Sequence, residues 1–145
     1  MIPKRKRPPK FQGLPFGLPK RDNKKQLEKD CLELWSILIR RRDKFCRHCN
    51  RVHNFKDLYA HHIYSVGCKA TKFDPENGVC LCWKCHNGIA HTLYEVFRKW
   101  LLANWMPLEK YEALGVRAEM RTKYTAGDLK LIKLDLWQKI RELKG

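Results

Sequence analysis

Apolar residues recur at helical spacing in three separate stretches of the chain. From about Asn23 to Asp43, Leu27, Cys31, Leu34, Trp35 and Leu38 fall at i, i+4, i+7, i+8 and i+11, one stripe of an amphipathic helix. Leu93, Val96, Phe97, Trp100, Leu101 and Trp105 repeat the pattern and predict a second helix from near His86 to about Trp105. Pro107, as a first helical residue, and Gly115, just past an end, bound a short third helix. Leu129, Ile132, Leu136, Ile140 and Leu143 predict a last helix from about Gly127 to Leu143. Thr125 and Asp128 mark its start, although Glu or Gln is the usual partner in a capping box. This final stripe closes on the first helix or pairs with a second chain.

Between the first two helices the helical period is lost. Short strands are expected near Leu58 to Ile63 and Gly78 to Leu81, joined by a long loop through Gly67 and Asp74-Pro75. The fold class is therefore α+β. Four regions follow: a basic arm over 1–21, rich in Lys, Arg, Pro, Gly and Phe, an N-terminal helix over 22–44, a core over 45–105, and a helical region over 106–145.

Charge narrows the partners. The chain of 145 residues carries 31 Lys plus Arg against 15 Asp plus Glu, a net charge of +16. Such a field attracts polyanions, and nucleic acid is the commonest. Arg40, Arg41, Arg42 and Lys44 crowd the end of the first helix. There they suit the helix dipole and are also placed to meet a phosphate backbone. No apolar run approaches the roughly 20 residues that span a bilayer. The basic start Met1-Ile2-Pro3-Lys4-Arg5-Lys6-Arg7 is followed by no apolar segment of signal-peptide type.

The seven cysteines are odd in number, and four of them stand as Cys46-x-x-Cys49 and Cys82-x-x-Cys85. Paired spacing of this kind supplies tetrahedral thiolates for a closed structural zinc site, and a reducing, cytoplasmic setting is expected. The 32 residues between the pairs must fold back on themselves. Basic neighbours Arg47, Arg51 and Lys84 would offset the double negative charge of such a centre. Cys31 falls on an apolar stripe, Cys68 has no evident partner, and Cys80 competes with Cys82 but lacks its spacing. His48 and His53, near the first knuckle, read as surface groups or as groups that steady the ligands.

His61-His62-Ile63, then Asn77-Gly78-Val79, then Leu81-Cys82-x-x-Cys85-His86 resemble the HNH nuclease motif, a ββα-metal finger. The nine-residue step from Asn77 to His86 fits that family's spacing, and the resemblance covers residues 46–91. It implies a catalytic divalent ion, Mg²⁺ or Mn²⁺, held by His61 and His86, with His62 as general base. It also implies that Asn77 pins a loop whose carbonyl orients the His62 ring. A neutral imidazole can take a proton from water near pH 7 once its other nitrogen is held. Imidazole ligation also admits other divalent ions. His91 lies five residues after His86, about 140° around an α-helix, so it is expected off the metal and against phosphate or solvent. Successive strand residues point to opposite faces, so His61 and His62 serve one site only if the strand ends or twists there.

Tyr64-Ser65-Val66-Gly67 and Tyr124-Thr125-Ala126-Gly127-Asp128-Leu129-Lys130 more loosely resemble phage recombination proteins of the NinG/Rap type. That likeness implies branched DNA as substrate, a bacterial host cytoplasm, and a homodimer for which the C-terminal helix is the candidate interface. The alternative class is a non-catalytic zinc module that binds nucleic acid, which has no use for a histidine doublet with Asn77. On either reading, affinity for DNA should fall with salt at a log–log slope of about −0.9 per phosphate neutralised, measured by titration at several salt concentrations. A flat dependence contradicts the electrostatic reading.

Overall fold

In the computed structural model residues 23–143 are described. The expected basic arm, residues 1–21, lies outside them. Four α-helices, a π-helix and a two-stranded antiparallel sheet make an α+β fold that is mostly helical. Helix α1 spans Lys24–Asp43, β1 Leu58–His62, β2 Gly78–Cys82 and the π-helix Lys84–His91; α2 spans Tyr94–Asn104, α3 Leu108–Ala118 and α4 Ala126–Glu142. Among the described residues no helix is long and apolar enough to cross a membrane.

The hairpin is the middle layer. Its register pairs Leu58 with Cys82, His61 with Val79 and His62 with Gly78. Side chains alternate across a strand, so the two faces feed different cores. Leu58, Ala60 and Cys80 join the α1 stripe of Leu27, Cys31, Trp35, Leu38 and Ile39, which α4 closes with Leu129, Leu136 and Ile140. Val79, Leu81 and Ile63 face the other way, onto Phe97, Leu101, Tyr111 and Leu114 of α2 and α3.

The C-terminal stripe is thus spent inside the chain. Leu129, Leu136 and Ile140 are buried, Ile132 packs beside them, and only Leu143 is exposed. The stripe packs on α1, while Leu131, Leu134 and Trp137 elsewhere on α4 are exposed. Cys31 Sγ donates to the Leu129 carbonyl, and Lys133 pairs with Asp30 at 2.8 Å across the same seam. Asp128 completes the capping box of α4, its carboxylate accepting from the Thr125 N–H while the Thr125 hydroxyl accepts from the Asp128 N–H.

Three expectations are corrected. The second helix is not continuous: the chain leaves the π-helix at Thr92 and Leu93 before α2 begins. That break turns the stripe, so Phe97 and Leu101 are buried while Leu93 and Val96 are exposed. Gly115 sits within α3, and Pro107 caps it. A Cβ at Gly115 would lie 2.5 Å from the Tyr64 hydroxyl, so close approach and not helix termination explains the glycine. Arg42 is not free for phosphate. Its guanidinium bonds buried Asp43 through both oxygens and donates to the carbonyls of Pro75 and Gly78, each at 2.8 Å. Asp43 also accepts from the Cys80 N–H, so one ion pair joins the end of α1 to β2. Arg40 is similarly engaged, donating to the carbonyls of Ser36 and Phe55 and lying 4.2 Å over the Phe55 ring. Arg41 and Lys44 remain exposed.

A Cβ at Gly78 would lie 2.6 Å from Trp35 and 2.7 Å from Ile39, inside the α1 layer. Gly78→Ala should therefore lower stability by about 1–3 kcal/mol through overpacking, as read by urea unfolding. An unchanged midpoint contradicts that packing.

Candidate metal centres and active site

The first cluster is the cysteine quartet. Lys44 and Asn50 take left-handed conformations, with φ of 69° and 59°, and bend the chain into a knuckle around Cys46 and Cys49. Asn is among the few residues other than Gly that adopt this region readily. Backbone bonds from Asn50 N–H to the Cys46 carbonyl and from Arg47 N–H to the Cys80 carbonyl fix the knuckle against β2. The second pair uses the end of β2 for Cys82 and the first turn of the π-helix for Cys85.

The four sulfurs all lie within 4.8 Å of one another. Cys49 and Cys82 Sγ are 3.9 Å apart. A tetrahedron of thiolates at about 2.3 Å from zinc has edges of about 3.8 Å, so this donor set fits a structural metal. Burial raises the Cys46 and Cys85 thiols. Burial also works against Cys82, but hydrogen bonds from Cys85 and the neighbouring thiols outweigh it and lower Cys82. A divalent cation would offset the charge of thiolates crowded this closely. His48 Nδ1 lies 3.4 Å from Cys85 Sγ, where it would steady that sulfur as a ligand. Arg51 and Lys84 line the surface beside the sulfurs, while Arg47 stacks on Phe45 at 4.2 Å. Cys80 shares a strand face with Cys82, two residues on, but packs within the α1 core and stays out of the quartet.

The second cluster holds His61, His86 and His91, whose ligand atoms also fall within 4.8 Å. His61 projects from β1 with only 7% exposure, its ring centroid 5.3 Å from His86 and 5.1 Å from His91. His86 Nε2 and His91 Nε2 are 3.3 Å apart. Two imidazole nitrogens at about 2.0–2.1 Å from one tetrahedral ion would be separated by about that distance. His91 was expected on the wrong side of an α-helix. The π-helix closes its bonds between residues five apart, so positions 86 and 91 share a face. Asn87-Gly88, weak α-helix formers in the middle of the expected helix, was the available signal.

His62 sits on the α1 side of the sheet. Its ring stacks on Trp35, with centroids 3.8 Å apart and planes 11° from parallel. Its Nε2 lies 2.9 Å from the Lys72 carbonyl oxygen. A carbonyl only accepts, so Nε2 carries the proton and Nδ1 keeps a lone pair. Asn77 is fully buried and ties down the loop that supplies this carbonyl. It donates to the Thr71 and Tyr64 carbonyls, both at 3.0 Å, and accepts from the Tyr64 N–H at 2.7 Å. The strand ends at His62, and a cavity of about 450 Å³ there is lined by His61, His62, His86, His91 and Tyr94 among others. The structure thus brings together His61, His62, His86 and Asn77 and adds His91. Trp35, Lys72 and Tyr94 had no distinguishing mark in sequence, since a stripe position, a loop backbone and a helix start carry no chemistry of their own.

Burial shifts His61, His62 and His86 toward the neutral form. Burial drives His61 down to about 3, helped by repulsion from His86 and His91. Burial also lowers His86, with His91 adding to it. His62 is lowered by burial, against a partial offset from its bond to the Lys72 carbonyl. Neutral imidazole is the form that binds metals and the form that accepts a proton.

Cys82→Ser should remove one corner of the quartet and unfold the hairpin region, because structural zinc contributes about 10–16 kcal/mol to folding in small zinc domains. Far-ultraviolet circular dichroism together with measurement of bound zinc reads this; a folded variant retaining full metal contradicts it. Comparison with protein-family models, with curated proteins and with solved structures finds no match to this chain.

Proposed function

We propose that the protein is a metal-dependent DNA endonuclease of the HNH type that hydrolyses phosphodiester bonds. The observation that carries this reading is the meeting of His61, His86 and His91 beside His62, whose ring is held by a carbonyl on the loop that Asn77 pins. This division of labour agrees with the roles that the HNH resemblance implies, and His91 joins it as a third imidazole. The +16 net charge supports a polyanionic substrate.

His61, His86 and His91 would hold a divalent ion, and three nitrogen donors suit Mn²⁺, Ni²⁺ or Zn²⁺ better than the harder Mg²⁺. Such an ion would supply stabilisation of charge on the phosphate and on the departing 3′-oxygen. His62 Nδ1 would take a proton from the attacking water as the new oxygen–phosphorus bond forms and the bond to the 3′-oxygen breaks. The products are 5′-phosphate and 3′-hydroxyl ends, the leaving oxygen gaining its proton from solvent. Trp35 keeps the ring in plane, and the Lys72 carbonyl holds Nε2–H throughout, which fixes the tautomer and steadies the imidazolium that forms. Branched recombination intermediates are the substrates suggested by the looser phage likeness.

Plasmid nicking with Mn²⁺ or Mg²⁺ tests the assignment. His62→Ala should lower the rate by about 10²–10⁴-fold while DNA binding survives. His91→Ala, like His86→Ala, should raise the metal concentration needed. Wild-type protein that binds DNA but nicks with none of Mg²⁺, Mn²⁺, Ni²⁺ or Zn²⁺ would replace this reading with the non-catalytic zinc module. Linear, flapped and four-way DNA compared in the same assay decide the substrate shape.

A further inference from the structure

Two large aromatic side chains stand in solvent between the two clusters. Trp83 is 55% exposed and Tyr59 37% exposed. Tryptophan is among the side chains most buried on average, so an exposed one on a small core forgoes substantial hydrophobic stabilisation. Nor is Trp83 on a loose segment. It lies between Cys82 and Cys85 of the quartet and caps the π-helix in helical conformation. Tyr59 comes from β1, opposite Leu81, on the sheet face that also carries His61. The rings form a connected group: Tyr59 lies 5.4 Å from Trp83 and 5.5 Å from His86, the latter pair within 20° of parallel. His86 in turn contacts His91 and His61. An aromatic path therefore runs from an exposed surface to the histidine cluster.

Charge at the outer end of the path favours a strand backbone. Arg51 and Lys84 line the surface cavity that Trp83 borders, with Asp57 as its acidic member. Exposed aromatic rings next to cations are the means by which proteins hold single-stranded nucleic acid, since every base has a face to stack and every linkage a charge. Within stacked strands successive bases are spaced by about 3.4 Å, so a base on Tyr59 or Trp83 belongs to a nucleotide within one or two steps of the histidine cluster.

We infer that Trp83 and Tyr59 form a stacking platform for unpaired bases of DNA, so that the site takes a strand that is single, frayed or displaced beside the scissile bond. The inference rests on the nuclease reading for its meaning and on the ring geometry for its evidence. Duplex bases are stacked on one another and present no face to the platform. The preference is therefore for the unpaired parts of a substrate.

The test is equilibrium binding of the full-length chain without added divalent ion, read by fluorescence anisotropy. The probes are a labelled 12-nucleotide oligothymidylate and an abasic 12-mer with the same phosphates. Wild type should bind the oligothymidylate about tenfold more tightly than the abasic strand. Trp83→Ala should erase most of that preference and leave abasic binding unchanged, and Trp83→Phe should keep it. Tyr59→Ala should lose part of it, which gives a second reading if Trp83→Ala folds poorly. Equal binding of both probes by wild type overturns the inference, as does a folded Trp83→Ala protein with its preference intact. The readout needs no turnover. An inert plasmid assay with intact base preference sinks the nuclease and spares the platform, and nicking without base preference does the reverse.

Discussion

The antiparallel register that sets His62 against Gly78 and Leu58 against Cys82 is the constraint on which both clusters depend. A strand has a side-chain period of two, and a slip of one residue would exchange its faces. In this register His61 turns toward the π-helix and His62 toward Trp35, while Cys82 arrives at the end of β2 beside the first knuckle. Gly78 is what lets His62 and α1 share that end of the sheet, because a larger residue there would occupy the space of Trp35 and Ile39. The pairing is short, so it is reinforced from outside the sheet. Asp43 accepts from the Cys80 N–H, and the Asn77 carbonyl takes the Ile63 N–H as the ladder ends.

The π-helix links the two clusters. Cys85 and His86 are adjacent, yet the first belongs to the sulfur quartet and the second to the histidine group. Whatever holds the quartet together consequently holds the start of the helix that carries His86 and His91. The wider helical turn also solves a geometric problem, since it aligns residues five apart without changing the sequence between them. In the proposed enzyme, the sulfur quartet would hold the scaffold, and the imidazoles and the stacked His62 would do the chemistry. The aromatic platform at Trp83 stands where these two parts meet.

The charge of the molecule is not distributed by function in the way a count suggests. Arg40 and Arg42 lie in the cationic run at the end of α1, yet both are drawn inward to carbonyls, and Arg42 also to a buried carboxylate. A guanidinium with several donors is well suited to tying loop carbonyls together. Arg41, between them, and Lys44, two residues beyond Arg42, stay in solvent. The difference is one of helix phase and of what packs against the helix end, not of residue type.

Residue type and spacing alone determined a large part of this protein. The cysteine pairs, the helical stripes of α1 and α4 and the strand pair could be placed because each is written in local periodicity or in ligand spacing. The grouping of His61 with His86 followed from motif likeness and is matched by the ring distances. Three things were decided only by tertiary structure. Whether the last stripe met α1 or another chain depended on long-range packing, which a stripe cannot express. The place of His91 depended on a change of helix type, whose only trace in sequence is the weak helix formers Asn87-Gly88. The partners of His62, the indole of Trp35 on its face and the backbone of Lys72 at its edge, come from distant parts of the chain. Local sequence records which groups a residue carries, whereas a site consists of groups brought close by packing, and that closeness belongs to the fold.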